Sequence, residues 1–258
     1  MRRYPGPIGV FGQGDGKRGR IVAFGAGGLA RLSKVHKRLL TAILAVAALG
    51  LGTATVASGL VPIYENHFSS SAKFRQVKKM SGGKDCSKVH KAKKRFLVTV
   101  DGGSTKCIYR TPVEGDGPGP DHQVSAQVKV EKTTSSKIRN KVYGAVGARA
   151  GKKTGYELRV FPKRGRWEVH RSPNATGFPV KGSLNKIKGV GKTNELQLKV
   201  FGNTVVAHVN GKKVMARTDG KAAQVSGRNT TIVAASEKKT NKAADVTFDA
   251  VRVKLPNP

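Results

Sequence analysis

Acidic residues are scarce in this chain. Fifteen Asp and Glu stand against 49 Lys and Arg in 258 residues, a formal charge of +34. Aromatics make up 6% with a single Trp, and there are two cysteines. Each shortage excludes a chemistry. There is no dense Asp/Asn cluster for calcium, and no E-x-D-x-E spacing that would set the nucleophile and acid of a retaining glycosidase on one strand. Two lone cysteines are too few for zinc, and the histidines lack metal-ligand spacing. No G-x-S-x-G elbow occurs. Gly191-Lys192-Thr193 has Lys186 where a phosphate loop would begin with Gly, and the G-x-G-x-x-G at 14–19 lacks a flanking strand and helix. No metal, cofactor or catalytic residue is expected.

Charge is missing altogether from Leu39–Val61, a 23-residue run that also has no Asn, Gln or Pro. As a helix it would span roughly 30 Å of hydrocarbon. Basic residues Arg31, Lys34, Lys37 and Arg38 precede it. The positive-inside rule keeps them in the cytoplasm and sends the C-terminal part outward. The expectation is a single-pass anchor; the alternative is a signal peptide cleaved near Ala57, which would release the protein. Small residues four apart, such as Gly50 and Ala54, are compatible with a homodimer through the anchor.

The run divides the chain into a Gly/Arg-rich head at 1–38, with no sustained apolar period, and a basic linker at 62–94. Residues 95–258 follow as one exported domain. The head carries +8 and everything after the run +26. So wide a positive field attracts polyanions. Outside the cytoplasm these are anionic glycans, wall polymers and lipid headgroups. Nucleic acid is not expected, since no nucleic-acid-binding motif accompanies the charge. Cys86 and Cys107 are predicted to form one disulfide, brought together by a hairpin around Asp101-Gly102-Gly103.

From Phe96 onward the apolar residues recur with period two, broken by Gly, Pro, Asn and Asp. The pattern predicts strands near 96–100, 107–113, 123–130, 142–148, 156–161, 167–171, 195–201, 205–209, 213–217, 230–235 and 246–255. Asn210-Gly211 is the clearest hairpin turn. Eleven short strands without a helical period predict an all-β two-sheet sandwich. Asn174-Ala175-Thr176 and Asn229-Thr230-Thr231 match the N-glycosylation acceptor pattern.

Gly155-Tyr156-Glu157-Leu158, then Trp167-Glu168-Val169, then Asn194 to Val214 with its Val209-Asn210-Gly211 hairpin, and finally Asp245 to Val253 follow one another in an order that resembles the concanavalin A-like, laminin G-like jelly rolls. The similarity is greatest to the bacterial branch related to keto-disaccharide hydrolase-like domains, and it covers roughly residues 95–255. It implies a jelly roll whose concave face, in many relatives, binds glycans. Alternation sends Tyr156, Leu158, Val160, Trp167, Val169, Leu196, Leu198 and Val200 to the core. The opposite face then carries Arg159, His170, Lys199 and His208, with Tyr143 and Arg149 from a neighbouring strand. These six are the candidate ligand-binding residues for an acidic saccharide, through charge-assisted hydrogen bonds and stacking. The expected function is a membrane-anchored, non-catalytic binding module for anionic glycans or envelope polymers. Two alternatives stand. One is a glycan-cleaving enzyme of the keto-disaccharide type, for which Glu157 and Glu168 would be the carboxylate pair. The other is a structural domain of an envelope complex.

Overall fold

The computed structural model describes residues 60–256 apart from 84, 92–94, 102–104, 112–118, 152, 174–176 and 240. The head and nearly all of the apolar run lie outside the described residues. Among the described residues no helix is long and apolar enough to cross a membrane.

In chain order the elements are β1 (Val61–Asn66), α1 (Ser71–Gln76), β2 (Lys78–Ser81), β3 (Cys86–Lys91), β4 (Arg95–Val100), β5 (Lys106–Arg110), β6 (His122–Val130), β7 (Val142–Ala150), β8 (Gly155–Phe161), β9 (Arg166–Ser172), β10 (Val180–Ser183), β11 (Asn194–Phe201), β12 (Thr204–Val209), β13 (Lys212–Thr218), β14 (Asn229–Ser236) and β15 (Ala244–Leu255). All eleven expected strands are there, their ends within three residues of the expected ones. They form two antiparallel sheets. The eight-stranded sheet runs β13-β12-β11-β6-β15-β4-β3, with β1 also on β15; the seven-stranded sheet runs β10-β9-β8-β7-β14-β5-β2. Between them the inward residues of each strand pack into one core, with Leu158, Leu196, Leu198, Phe96 and Phe248 fully buried. Trp167 belongs to this core as alternation predicted.

The described residues between 62 and 91, expected as a linker, are structured. They hold β1, α1, β2 and β3, and they bury Phe68 and Val77 completely. Phe68 and Phe74 each pack 5.1 Å from the Phe96 ring, which also meets Tyr109 edge-on at 5.2 Å. The sequence hides these elements for a physical reason. β2 and β3 are edge strands, and sheet edges carry lysine because charge blocks further pairing. The period of β1 is broken by a register shift between Pro62 and Tyr64.

The disulfide exists, but not within a hairpin. Cys86 on β3 joins Cys107 on β5, with Cα atoms 5.7 Å apart, and so ties the two sheets together. Closing that loop stabilises the fold by about 3 kcal/mol on the chain-entropy model. The Asn210-Gly211 turn adopts positive φ at both residues, 50° and 75°, which only Asn and Gly accept readily. A second irregularity divides β15. Its register shifts between Asp249 and Arg252, Ala250 takes a φ of 46°, and the Asp249 carboxylate accepts from the Ala250 N–H. Before the bulge β15 pairs with β4; after it, with β1.

Several strand ends and turns gather at one end of the sandwich. Register places there the start of β1 with the end of β15, the turn between β7 and β8, and the starts of β6 and β14. Arg149 fastens that end, donating to the carbonyls of Pro120 and Gly202, both at 2.7 Å, and to the Asp121 carboxylate at 2.8 Å.

Candidate functional site

The outer face of the seven-stranded sheet is built by alternation. With Tyr156, Leu158 and Val160 inward, Glu157, Arg159 and Phe161 of β8 must point outward, beside Arg166, Glu168 and His170 of β9. β7 and β14 supply small or aromatic residues. Tyr143, Ala145, Phe161, Val233 and Ala235 form a second apolar cluster, separate from the main core, with Ile108 packed against it.

Over this floor lies a layer of clasped charges. Glu157 is held by Lys106 and by Arg159. Glu168 is held by Arg166 at 3.0 Å and His170 at 2.7 Å, and Glu237 by Arg164 at 2.9 Å and Arg166 at 2.6 Å. The guanidinium of Arg159 sits 4.8 Å from the Tyr143 ring centre, and that of Arg166 4.4 Å from Phe161. The Lys106–Glu157 pair reaches from β5 to β8 over the two intervening strands. On a flat sheet that is about 14 Å between strands. Two extended side chains can meet across it because the outward residues between them, Ala145, Gly147 and Val233, are small. Gly147 has no room for more, since an added Cβ would lie 2.3 Å from the Thr231 hydroxyl.

A cavity of about 160 Å³ opens on this face beside the turn between β7 and β8. Lys106, Lys153, Thr154, Glu157, Arg159 and His170 give it its polar groups, and Ile108 and Met80 its apolar edge. Burial alone would raise the Glu157 pKa, but Lys106 and Arg159 more than reverse this and hold the carboxyl below its usual range. Burial, then the Arg159 charge, lower the His170 pKa against the opposing pull of Glu168. At neutral pH the cavity thus presents ammonium and guanidinium donors, an ionised carboxylate and a neutral imidazole. This is a set suited to polyhydroxy ligands and to single anionic groups. Among the described residues no group of three His, Cys, Asp or Glu could hold a metal ion.

The six candidate residues do not share one face. Tyr143, Arg159 and His170 come together on the hollow face as expected. Lys199 and His208 project from the outer face of the other sheet, because β11 and β12 belong to it. Arg149 leaves both faces. Its φ is 49°, the β7–β14 register shifts beside it between Asn229 and Thr231, and its side chain turns into the end of the sandwich, 5% exposed. Its role is structural. The hollow face is partly aromatic as expected, but its cations are largely paired with the carboxylates of Glu157, Glu168 and Glu237. Alternation around Leu158 and Val169 would have shown Phe161, Arg166, Glu157 and Glu168 together. Lys106 could not have been found, since β5 reaches this sheet through pairing with β14, more than a hundred residues later. The Asn229 acceptor site is closed off: its amide donates to the Ala150 carbonyl, and Thr230 and Thr231 are buried. Asn174 lies outside the described residues.

No protein-family model and no curated protein matches the chain. Solved structures do match it, at low identity. A Crh5 transglycosylase in complex with NAG superposes with a TM-score of 0.56 at 10% identity, covering 78% of this chain and 87% of that one. A laminarinase from Flavobacterium sp. UMI-01 gives 0.53 at 10%, covering 75% and 99%. A Bacillus subtilis protein of unknown function with a galectin-like fold gives 0.51 at 12%, covering 76% and 98%. The fold is thus that of the galectin-like and concanavalin A-like jelly-roll sandwiches.

Proposed function

We propose that this chain is a membrane-anchored, extracytoplasmic glycan-binding module that works without catalysis, and that its ligand lies in the hollow of the seven-stranded sheet. The observation that carries this reading is the cavity itself, where Lys106 of β5, Arg159 of β8 and His170 of β9 converge beside the apolar side chains of Ile108 and Met80. Sugar recognition asks for this combination of planar charge-assisted hydrogen bonds and apolar surface. The jelly-roll fold, shared with a laminarinase and a transglycosylase, is compatible with it. The placement outside the cytoplasm rests on the apolar run and the basic residues before it, together with a disulfide suited to an oxidising compartment.

A second reading, glycan cleavage, has one observation in its favour. Glu157 and Glu168 are diagonal neighbours on the same hollow face, since Glu157 pairs across the strands with His170 and Arg159 with Glu168. Retaining hydrolysis needs two carboxyls about 5 Å apart, one of them protonated to act as acid. Glu157 is kept ionised by its two cations, and each of the pair is clasped by two basic groups, which favours binding over proton donation.

The test is retention of the full chain, in detergent, on neutral and acidic glycan arrays at low and at physiological salt, with released sugars analysed alongside. Retention of one glycan class at physiological salt without new reducing ends is the expected result. Cleavage abolished by Glu157→Gln would establish the second reading instead. Retention by every polyanion that vanishes with salt would reduce the charge to a general field.

A further inference from the structure

The apolar run ends, in sequence, where the sandwich begins. Val61 is both its last residue and the first of β1, paired opposite Leu255. No spacer separates the two. Val61 and Ile63 are the only large hydrophobic side chains among the described residues that are strongly exposed, at 43% and 37%, and both lie at this start of β1.

The same end of the sandwich is cationic. Register and turns bring there Arg110 at the close of β5, Lys153 between β7 and β8, Lys221 after β13, Arg228 before β14 and Lys254 near the end of β15. The first four are exposed, and none of the five makes an ion pair among the described residues. The described carboxylates of that end are already taken: Asp121 by Arg149, and Asp219 by Arg171 at 2.9 Å and the Tyr156 hydroxyl at 2.7 Å. No such one-sided balance exists on the hollow face, where carboxylates clasp the cations.

We propose that this end is a docking surface for anionic phospholipid headgroups. The sandwich rests on the bilayer with Val61 and Ile63 at the interface and the five cations over the headgroups, so the domain is held against the membrane in one orientation. The inference rests on the reading of Leu39–Val61 as a retained anchor. Each cation near an anionic surface contributes separately, so that removing three weakens docking on the order of 100-fold.

The test uses the full chain reconstituted in vesicles of phosphatidylcholine alone or mixed with phosphatidylglycerol. A fluorophore is placed on Ser226→Cys, exposed at the cationic end, or on Asn185→Cys at the opposite end as control. The readout is quenching by headgroup-labelled lipid. The expected result is strong quenching of the Ser226 label in phosphatidylglycerol vesicles only, no quenching of the Asn185 label, and loss of the effect in Lys221→Ala/Arg228→Ala/Lys254→Ala. If the protein resists alkaline extraction from the vesicles yet the two labels quench alike, the docking surface is overturned and the anchor stands. If the protein is extracted, the anchor reading falls and the docking with it.

Discussion

The two outer faces of this sandwich start from the same rule and end in different states. On the eight-stranded sheet, alternation leaves Gln197, Lys199, Phe201 and His208 outward over Val200 and Ala207, and they stay partly open to solvent. On the seven-stranded sheet, the same alternation leaves Glu157, Arg159, Phe161 and Glu168 outward, yet Phe161 is fully buried and Glu168 nearly so. The difference is not hydrophobicity. It is the linking of carboxylates through shared cations, Arg166 between Glu168 and Glu237 and Arg159 between Glu157 and His170, which lets long side chains lie down over the aromatic rings as paired groups. The open face has carboxylates too, Glu131 on Lys129 at 2.8 Å and Glu65 on Arg252, but no ion pair engages Lys199 or His208 among the described residues, and these two stay solvated. Three of the chain's acids, Glu157, Glu168 and Glu237, thus organise the cations of the hollow face.

Substitutions should expose this contrast. The largest effect is expected for Phe161→Ala, which removes the ring under Arg164 and Arg166 and should destabilise the domain by about 3 kcal/mol, whereas Phe201→Ala should stay below about 1 kcal/mol. Urea unfolding of the two variants measures both. Next comes Arg159→Ala, which uncovers Tyr143 and leaves Glu157 with Lys106 alone. A loss of about 2 kcal/mol is expected, against no more than about 0.5 kcal/mol for Lys199→Ala on the other face.

Acid titration reports on the buried ionisable groups separately. The folded-state pKa of Glu157 lies below its ordinary 4.5. Its contribution is therefore present above that value and disappears as pH falls through the folded one. Glu157→Gln should flatten the acid limb of the stability profile below about pH 4.5. His122 acts at higher pH. Burial lowers its pKa from 6.5 to about 4, so the unfolded chain takes up a proton first and stability declines between those two values at no more than about 1.4 kcal/mol per pH unit. His122→Asn should remove that decline, which thermal melts across the range would show. The smallest effect is expected from salt. Raising ionic strength should leave the hollow-face pairs largely intact and alter stability mainly through the repelling cations of the open face.

Much of the fold was legible because it depends on local alternation and turns: the eleven strands from Phe96 on, the Asn210-Gly211 hairpin and the inward Trp167 follow from period two alone. What was not legible depends on pairing between distant residues. β1, β2, β3 and β10 are short or lysine-bearing edges, stabilised by neighbours rather than by their own pattern. Tyr143, Arg159 and His170 could be placed on one face because β7, β8 and β9 are consecutive. Lys199 and His208 could not be separated from them, since period two gives a side of the strand and not the sheet to which the strand belongs. Arg149 escaped the rule through a register shift that no spacing in its own strand announces.

On the proposed reading the glycan lies in the hollow face and not on the open one. The most direct measurement is the affinity of the full chain for the glycan it retains, compared among wild type, Lys106→Ala, Arg159→Ala and Lys199→Ala at a temperature where all four are folded. Losing charge-assisted hydrogen bonds should weaken the Lys106 and Arg159 variants roughly tenfold or more, with Lys199→Ala within about twofold of wild type. Unchanged binding in the first two with a loss in Lys199→Ala would move the site to the eight-stranded sheet.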